Sequence, residues 1–168
     1  VNLPIKNKMD APYVKHLSAD LMPVLNNGGI QAKIVAGEFG GKKSPFESPI
    51  PLQIIDWTGA IGSDFKLDVN QGWGGILYCI SGEIELIASG EKFVLSAGTA
   101  LGFESAGIQI LGNTQKDSRW ISLFGKLTNE PYVLAGPIIM ESDSANKERI
   151  HAYQRGDFGQ IKGYRDSI

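Results

Sequence analysis

The stretch between residues 72 and 101 constrains the fold more than any other part of the sequence. It contains four apolar runs of strand length, at 76–80, 84–88, 93–95 and 99–101. The runs are separated by Ser81-Gly82, Ser89-Gly90 and Ala97-Gly98. Short apolar runs between turn dipeptides are typical of antiparallel strands joined by tight turns. The middle of the chain therefore predicts an antiparallel meander.

Strand patterns continue on both sides of this meander. Residues 30–36 and 64–69 alternate apolar with mostly polar positions, which predicts half-buried strands. Further strands are predicted at 51–57, 107–111, 119–124 and 132–135, and the glycine-rich segment 37–48 is predicted to be a loop. Ten short strands with almost no helical pattern predict a sandwich or barrel.

The two ends of the chain differ from this β pattern. Residues 1–27 contain three prolines, which predicts an irregular arm without a long helix. Ser18 is a candidate cap for a single helical turn that runs through Met22. Near the C-terminus, Ser142 is a predicted N-cap, and Asp143 follows in the first turn, where the helix dipole favours negative charge. Ile150 and Tyr153 can share a face, and Gly156 ends the run. This pattern predicts one helix of about three turns.

Composition excludes several classes of protein. A chain of 168 residues is the size of one domain, and a net charge of -2 gives no electrostatic footprint for nucleic acid. We interpret the adjacent Lys42 and Lys43 as part of a solvated loop. No apolar run is long enough to cross a membrane. The chain opens with Val1 rather than Met, so targeting signals cannot be judged from this end.

Each residue considered for a catalytic or metal-binding role also has a purely structural explanation. Cys79 lies in an apolar run, so we expect a small buried residue rather than a reactive thiol, which is compatible with a reducing compartment. His16 and His151 lie far from the meander, and neither has a partner at a metal-ligand spacing. Glu83 and Glu85 alternate on a strand, where solvent-facing positions explain them more simply than a catalytic pair. We interpret the three tryptophans, Trp57, Trp73 and Trp120, as residues of the core or mouth of a barrel.

The residue spacing in the meander resembles the second motif of the cupin family. Gly90 and Gly98 fall on the two motif glycines, whereas the motif's proline, histidine and asparagine fall on Ser96, Leu101 and Ser105. The first motif aligns through its two glycines, Gly62 and Gly82. Its glutamate then falls on Gly75 and its two histidines on Asp68 and Asn70. The resemblance implies a cupin scaffold without the metal ligands; Asp68 as a lone oxygen ligand is the alternative to an exposed strand carboxylate.

Both ends of the chain resemble the C-terminal half of the pirins, which are similar to two cupin barrels in tandem. The resemblance rests on VNLPIKNKM and IVAGEFGG near the start and on GPIIM, a capped helix and YQRGDFGQI near the end. It implies an all-β cupin jelly roll (double-stranded β-helix, RmlC-like) with one short C-terminal α-helix. We expect residues 1–29 to form a linker arm, 30–137 a metal-free barrel, and 138–168 the helix and tail.

The resemblance also implies what a complete pirin does. Its iron is bound in the N-terminal half, and we expect the chain to begin at the junction with that half, so we predict no catalytic, cofactor-binding or metal-binding residue in this chain. The implied activity of the whole protein is of the quercetin 2,3-dioxygenase type, or that of an iron-dependent cofactor of transcription regulators. The expected compartment is the cytoplasm, or the nucleus in a eukaryote.

Three hypotheses remain open from the sequence. The chain is a structural and interaction-bearing cupin that packs on an N-terminal cupin half, with a transcription regulator as a further partner. Alternatively, it is a stand-alone small-ligand-binding cupin that forms homo-oligomers, or an enzyme in its own right. We expect a homodimer or a larger assembly, because a barrel without its sister half exposes apolar surface. No direct contact with nucleic acid or with a membrane is expected.

Overall fold

The computed structural model describes residues 2–11, 14, 16–104 and 107–158. They belong to two compact units, one made from residues 12–127 and the other from 1–11 together with 128–168. Most of the chain is β structure. In chain order the strands are β1 (Val24–Asn27), β2 (Ile30–Ala36), β3 (Glu38–Phe39), β4 (Lys42–Lys43), β5 (Leu52–Gly59), β6 (Asp64–Val69), β7 (Trp73–Ser81), β8 (Glu83–Ala88), β9 (Glu91–Ser96), β10 (Ala100–Phe103), β11 (Ile108–Thr114), β12 (Ser118–Lys126), β13 (Val133–Ala135) and β14 (Ile138–Met140).

The larger unit is a sandwich of two antiparallel sheets. One sheet has six strands in the order β1-β2-β5-β12-β7-β10, and the other has four in the order β6-β11-β8-β9. Strands that are distant in sequence are neighbours in both sheets, as in a jelly roll. The predicted alternation is confirmed on β2 and β6, where every second residue is buried.

Inward-facing residues of both sheets form one apolar core. Trp57, Leu77 and Trp120 come from the six-stranded sheet, and Leu67 and Ile110 come from the four-stranded sheet. Each large apolar side chain that is fully buried contributes about 1.5–3 kcal/mol to folding. The core therefore holds the two sheets together.

The turn glycines of the predicted meander have the left-handed backbone that tight turns need. Gly82 has φ +79° and ends the β7–β8 connection, and Gly90 has φ +81° between β8 and β9. Ser89 before it also has a positive φ, 51°, which gives that hairpin two consecutive left-handed residues. Positive φ is likewise found at the other two motif glycines, Gly62 and Gly98. The predicted turns are thus confirmed.

The predicted turn after Ser18 is a 3-10 turn, Ala19–Leu21, but the Ser18 side chain makes no capping hydrogen bond. The prediction of irregular backbone up to residue 27 is wrong at its end. Val24–Asn27 forms β1, which pairs antiparallel with β2 across the turn at Gly28 and Gly29. The strand has only four residues, of which two are asparagines, so its sequence carries almost no periodicity. Pairing with β2, not local propensity, makes it a strand. The predicted loop 37–48 likewise contains the short hairpin β3–β4, in which both residues of Lys42–Lys43 are exposed.

The smaller unit contains the predicted helix, α1 (Asp143–Gln154). The Ser142 side chain accepts a hydrogen bond from the Ala145 N–H at 3.2 Å, so the predicted N-cap is confirmed. The buried residues of the helix are Asn146 and Ala152. Tyr153, which the sequence predicts to share a helix face with Ile150, is 66% exposed. The amide of Asn146 donates to the Val133 carbonyl at 2.8 Å and so ties the helix to the β13–β14 hairpin.

The N-terminal residues complete the smaller unit. Residues Ile5–Asn7 form a 3-10 turn, and the Ile5 N–H donates to the Glu130 carboxylate at 2.7 Å. The Lys8 ammonium donates to the Ile139 carbonyl at 3.1 Å. Among the helices that the described part of the chain contains, none is long and apolar enough to cross a membrane.

Replacement of Gly82 should destabilise the protein more than replacement of Gly90, although both have the same backbone conformation. Gly90→Ala introduces only the left-handed strain, about 1–2 kcal/mol, because no atom lies near a Cβ at this position. At Gly82 a Cβ would also collide with the Asp117 carbonyl and with Ser118. We expect Gly82→Ala to cost about 1–3 kcal/mol more than its control, measured by urea unfolding. Equal losses for the two variants would contradict the role assigned to this contact.

Candidate functional site

The two positions aligned with the histidines of the first cupin motif do not point into the barrel. Asp68 and Asn70 are exposed. The Asp68 carboxylate accepts a hydrogen bond from the Gln109 amide at 2.9 Å and lies 3.5 Å from the Lys66 ammonium. Ion pairs between exposed side chains contribute little to stability. Asp68 is therefore a carboxylate on the outer surface of β6.

The inward positions next to them are apolar. Leu67 is fully buried and Val69 is buried at the end of β6, where they pair with Ile110 and Ile108 of β11. Side chains on a strand alternate between its two faces, so a shift of one residue exchanges the inner and outer sets. The side chains of Leu67 and Val69 that β6 turns toward the interior are therefore aliphatic and offer no imidazole to a metal.

The positions aligned with the remaining ligands also lack donor atoms. Gly75 lies where β12 approaches β7 so closely that a Cβ would collide with the Leu123 carbonyl and with Phe124. Leu101 lies on β10 opposite the fully buried Leu77. The ring of Phe103 packs against the ring of Phe124 with centroids 5.6 Å apart. Ser105, which is aligned with the motif asparagine, lies outside the described residues.

The chemistry of this donor set does not fit an iron ion. Iron sites of this kind need about three nitrogen or carboxylate ligands around an open position, and the aligned interior positions offer none. His16 is exposed in the larger unit, and His151 is exposed on α1 of the smaller unit. Within residues 2–11, 14, 16–104 and 107–158, no three His, Cys, Asp or Glu side chains are grouped so that they could hold a metal ion.

The two glutamates considered as a catalytic pair are engaged separately. Glu83 accepts a hydrogen bond from the Ser96 hydroxyl at 3.1 Å and lies 3.6 Å from the Lys116 ammonium. Glu85 forms an ion pair with Lys92 at 2.8 Å. Each carboxylate therefore has its own cation at the surface of the four-stranded sheet, which favours the structural explanation.

Cys79 is a buried core residue, as its apolar neighbours predicted. Its side chain is 0% exposed, and its Sγ lies 3.4 Å from the Ser81 carbonyl. Burial raises the pKa of the thiol above its ordinary value, and the negative charge of Glu83 raises it further. The thiolate, which is the nucleophilic form, is thus disfavoured.

Two of the three tryptophans form the centre of an aromatic cluster. Trp57 stacks on Trp120 with a centroid distance of 5.7 Å and an interplanar angle of 4°. Phe65 lies 4.6 Å from Trp120, and Phe39 meets Trp57 edge-on at 5.1 Å. Trp73 is only half-buried. Trp57 and Trp120 are therefore core residues, as predicted.

A cavity of 630 Å³ lies beside this cluster and was not predicted from the sequence. It is bounded by the β1–β2 hairpin, the β3–β4 hairpin and the paired strands β6 and β11, with Trp57 in its wall. Its aromatic residues come from three separate strands. Only the register of both sheets brings them together, so no local signal in the sequence could have indicated the cavity.

We predict that Cys79 makes the protein less stable in alkaline solution. The folded thiol has a raised pKa, so the unfolded chain loses this proton at lower pH than the folded chain does. Stability from this residue is fully present at neutral pH and is lost as the pH rises above the ordinary thiol value of 9.0. The free energy of unfolding should therefore fall more steeply between pH 8 and 10.5 in the wild type than in Cys79→Ala. Parallel curves for the two proteins would refute this prediction.

Comparison with known proteins identifies the family. Residues 54–159 match the model of the pirin C-terminal cupin domain. Pirin-1 of Arabidopsis thaliana is 29% identical over 161 residues, which are 95% of this chain and 56% of that protein. Pirin of Homo sapiens is 23% identical over 171 residues, covering 100% of this chain and 59% of its own length.

A solved structure agrees with these relatives. The structure of quercetin 2,3-dioxygenase from Acinetobacter baumannii has a TM-score of 0.82 and 25% identity, with coverage of 96% of this chain and 56% of the other. The chain thus spans somewhat more than half the length of the relatives that it matches. The predicted cupin jelly roll and the predicted relationship are both confirmed: this chain belongs to the pirin family and corresponds to its C-terminal cupin domain.

Proposed function

We propose that this domain is a metal-free cupin with a structural and interaction role, and that it packs against a second cupin through the outer face of its six-stranded sheet. The observation that carries the proposal is an apolar stripe on that face. We call it the outer stripe, and its members belong to three neighbouring strands: Ile54 on β5, Ile76, Tyr78 and Ile80 on β7, and Ile121 and Leu123 on β12.

Strand register makes the outer stripe continuous. Leu123 lies between Ile54 on one side and Ile76 on the other, and Ile121 lies opposite Tyr78. Three of these large apolar residues are exposed, with Ile76 at 40%, Tyr78 at 38% and Ile80 at 42%. The solvent face of an antiparallel sheet normally carries polar residues. An apolar stripe in their place favours burial against another surface.

Charged residues border the outer stripe. The Arg119 guanidinium forms two hydrogen bonds with the Asp56 carboxylate, at 3.0 and 2.8 Å. Asp56 lies directly opposite Ile121 in the sheet. Protein interfaces commonly combine an apolar centre with a polar rim. The arrangement on this face has that composition.

The second cupin that we propose is the N-terminal half of a longer pirin polypeptide. The matched residues are only 56% of one relative and 59% of another, and the length that remains supports such a partner. We assign the iron, and with it either a quercetin 2,3-dioxygenase-type activity or a cofactor role toward transcription regulators, to that other half. The apolar interior at Leu67, Val69 and Leu101 supports this assignment, because it provides no ligand for iron.

Without a partner half, the chain should associate with itself through the outer stripe. Light scattering should show a homodimer or a larger species, and Ile76→Lys should raise its dissociation constant at least tenfold, since a desolvated lysine opposes association by more than about 1.4 kcal/mol. Ile87→Lys is the matched control, because Ile87 is 44% exposed on the four-stranded sheet. A wild type that stays monomeric at high concentration, or equal effects of the two variants, would argue against the proposed interface.

Metal analysis tests the proposed absence of an iron site. After expression with added iron, elemental analysis of the purified chain should find iron well below one ion per chain, and Asp68→Asn should leave this content unchanged. The reason is that Asp68 points outward, where it is paired with Gln109 and Lys66. The proposal fails if iron is stoichiometric and is lost in Asp68→Asn.

A further inference from the structure

The cavity beside the aromatic cluster lies at the open edge of the sandwich. There the six-stranded sheet ends with β1, and the four-stranded sheet ends with β6. Each of these edge strands pairs on one side only, and the cavity lies between them. Its volume of 630 Å³ falls in the range of about 300–1,000 Å³ that is usual for small-molecule sites.

This cavity is distinct from the positions aligned with metal ligands. On β6 it is lined by Asp64, Phe65 and Lys66, at the start of the strand. Leu67 and Val69, the inward neighbours of the positions aligned with the motif histidines, follow toward the other end of that strand and are not part of the lining. The cavity is also separate from the outer stripe. Trp57 lies on the inner face of the six-stranded sheet, and the outer stripe lies on its outer face.

Flat aromatic groups form the deep part of the cavity. Trp57 and Phe65 are both buried, with ring centroids 5.6 Å apart, and Phe39 stands at 74° to the Trp57 ring. Leu25 and Ile30 add aliphatic walls. Aromatic side chains pair favourably with other rings in edge-to-face or offset arrangements, which are worth about 0.5–1.5 kcal/mol beyond burial. The wall therefore favours a ligand with an aromatic body.

The indole N–H of Trp57, the polar group in the deep wall, already has a hydrogen-bond partner. The indole N–H of Trp57 donates to the Ser122 hydroxyl at 2.8 Å, within the core. A polar ligand group placed against Trp57 would lose its hydrogen bonds to water and find no free donor in that indole. The inner end of the ligand must therefore be apolar.

Polar side chains are confined to the rim. Asn26 accepts a hydrogen bond from Gln31 at 3.1 Å, and Asp64 accepts one from Asn113 at 2.7 Å. Among the described residues, Lys66 is paired with the exposed Asp68, at 3.5 Å. Since a pair of this kind is weak in water, the ammonium of Lys66 can turn to an acceptor on a bound molecule. The outer end of the ligand should carry such an acceptor.

We propose that this cavity binds one flat aromatic molecule, with its ring system against Trp57, Phe65 and Phe39 and an oxygen acceptor at the rim near Lys66. Small residues in the lining keep the space open. Ala32 contributes only a methyl group, and Gly112 lies directly under the Phe65 ring, where a Cβ would displace that ring. The size of the cavity admits two or three fused rings.

Titration with 2-naphthol tests the aromatic part of the proposal. Calorimetry should show saturable binding of one molecule per chain, and nitrogen–proton NMR spectra should show a shift of the Trp57 indole N–H signal. Phe39→Ala should weaken binding at least tenfold, whereas its matched control Phe93→Ala, a half-buried phenylalanine outside the cavity, should leave it within twofold. Leu25→Ala provides a second cavity variant, and thermal melts verify that each variant is folded.

The assignment would be overturned by the absence of saturable binding or by equal effects of Phe39→Ala and Phe93→Ala. NMR shifts confined to the outer stripe residues Ile76, Tyr78 and Ile80 would place the ligand elsewhere and would also overturn it. Binding of the aliphatic alcohol 1-octanol as tight as that of 2-naphthol would refute the preference for an aromatic ligand.

A charged probe tests the rim. Lys66→Met should weaken binding of 2-naphthoate at least threefold more than binding of 2-naphthol, because only the former carries a carboxylate for the ammonium. Lys92→Met is the control, since Lys92 is paired with Glu85 on the other sheet edge, away from the cavity. Equal losses for both probes in Lys66→Met would refute the placement of the acceptor.

Discussion

The stacked pair of Trp57 and Trp120 is the contact on which the larger unit depends. The two residues lie directly opposite each other on β5 and β12, the central strands of the six-stranded sheet. Phe65 of the other sheet packs against both rings, so the pair also joins the two layers. Its one satisfied indole N–H is bonded to the buried Ser122. A single aromatic cluster thus fixes the register within one sheet and the packing between both.

This packing explains why the interior is filled at the positions aligned with the metal ligands and yet leaves a cavity elsewhere. Where β12 approaches β7 at Gly75, the space that a glutamate ligand would need is taken by the Leu123 carbonyl and the Phe124 ring. At the opposite edge, the sheets end in β1 and β6, and the cavity lies between these strands, with Trp57 and Phe65 in its wall. The interior is therefore filled at the position aligned with the metal and open beside Trp57. Interiors are packed densely enough that a few large side chains decide where space remains.

The two faces of the six-stranded sheet carry different sets of residues. Its inner face carries the core and one wall of the cavity, and its outer face carries the outer stripe. Both arise from the same alternation along β7 and β12, in which residues such as Leu77 and Ser122 point inward while Tyr78 and Leu123 point outward. An apolar outer face is costly for a protein in water unless another surface covers it. A partner on this face and a ligand in the cavity are therefore compatible within one domain.

The sequence alone determined most of the strands, the turns and the family. These features have local signals that local geometry suffices to interpret. The signals are the alternation on β2 and β6, the turn glycines Gly82 and Gly90, and the Ser142 cap. Tertiary structure decided which strands are neighbours. The motif spacing aligned Asp68 with a ligand, whereas the alternation along 64–69 predicted that it faces outward, and the structure confirms the alternation. The strand β1, the close approach at Gly75 and the cavity depend on contacts between segments far apart in the chain, and no local pattern encodes such contacts.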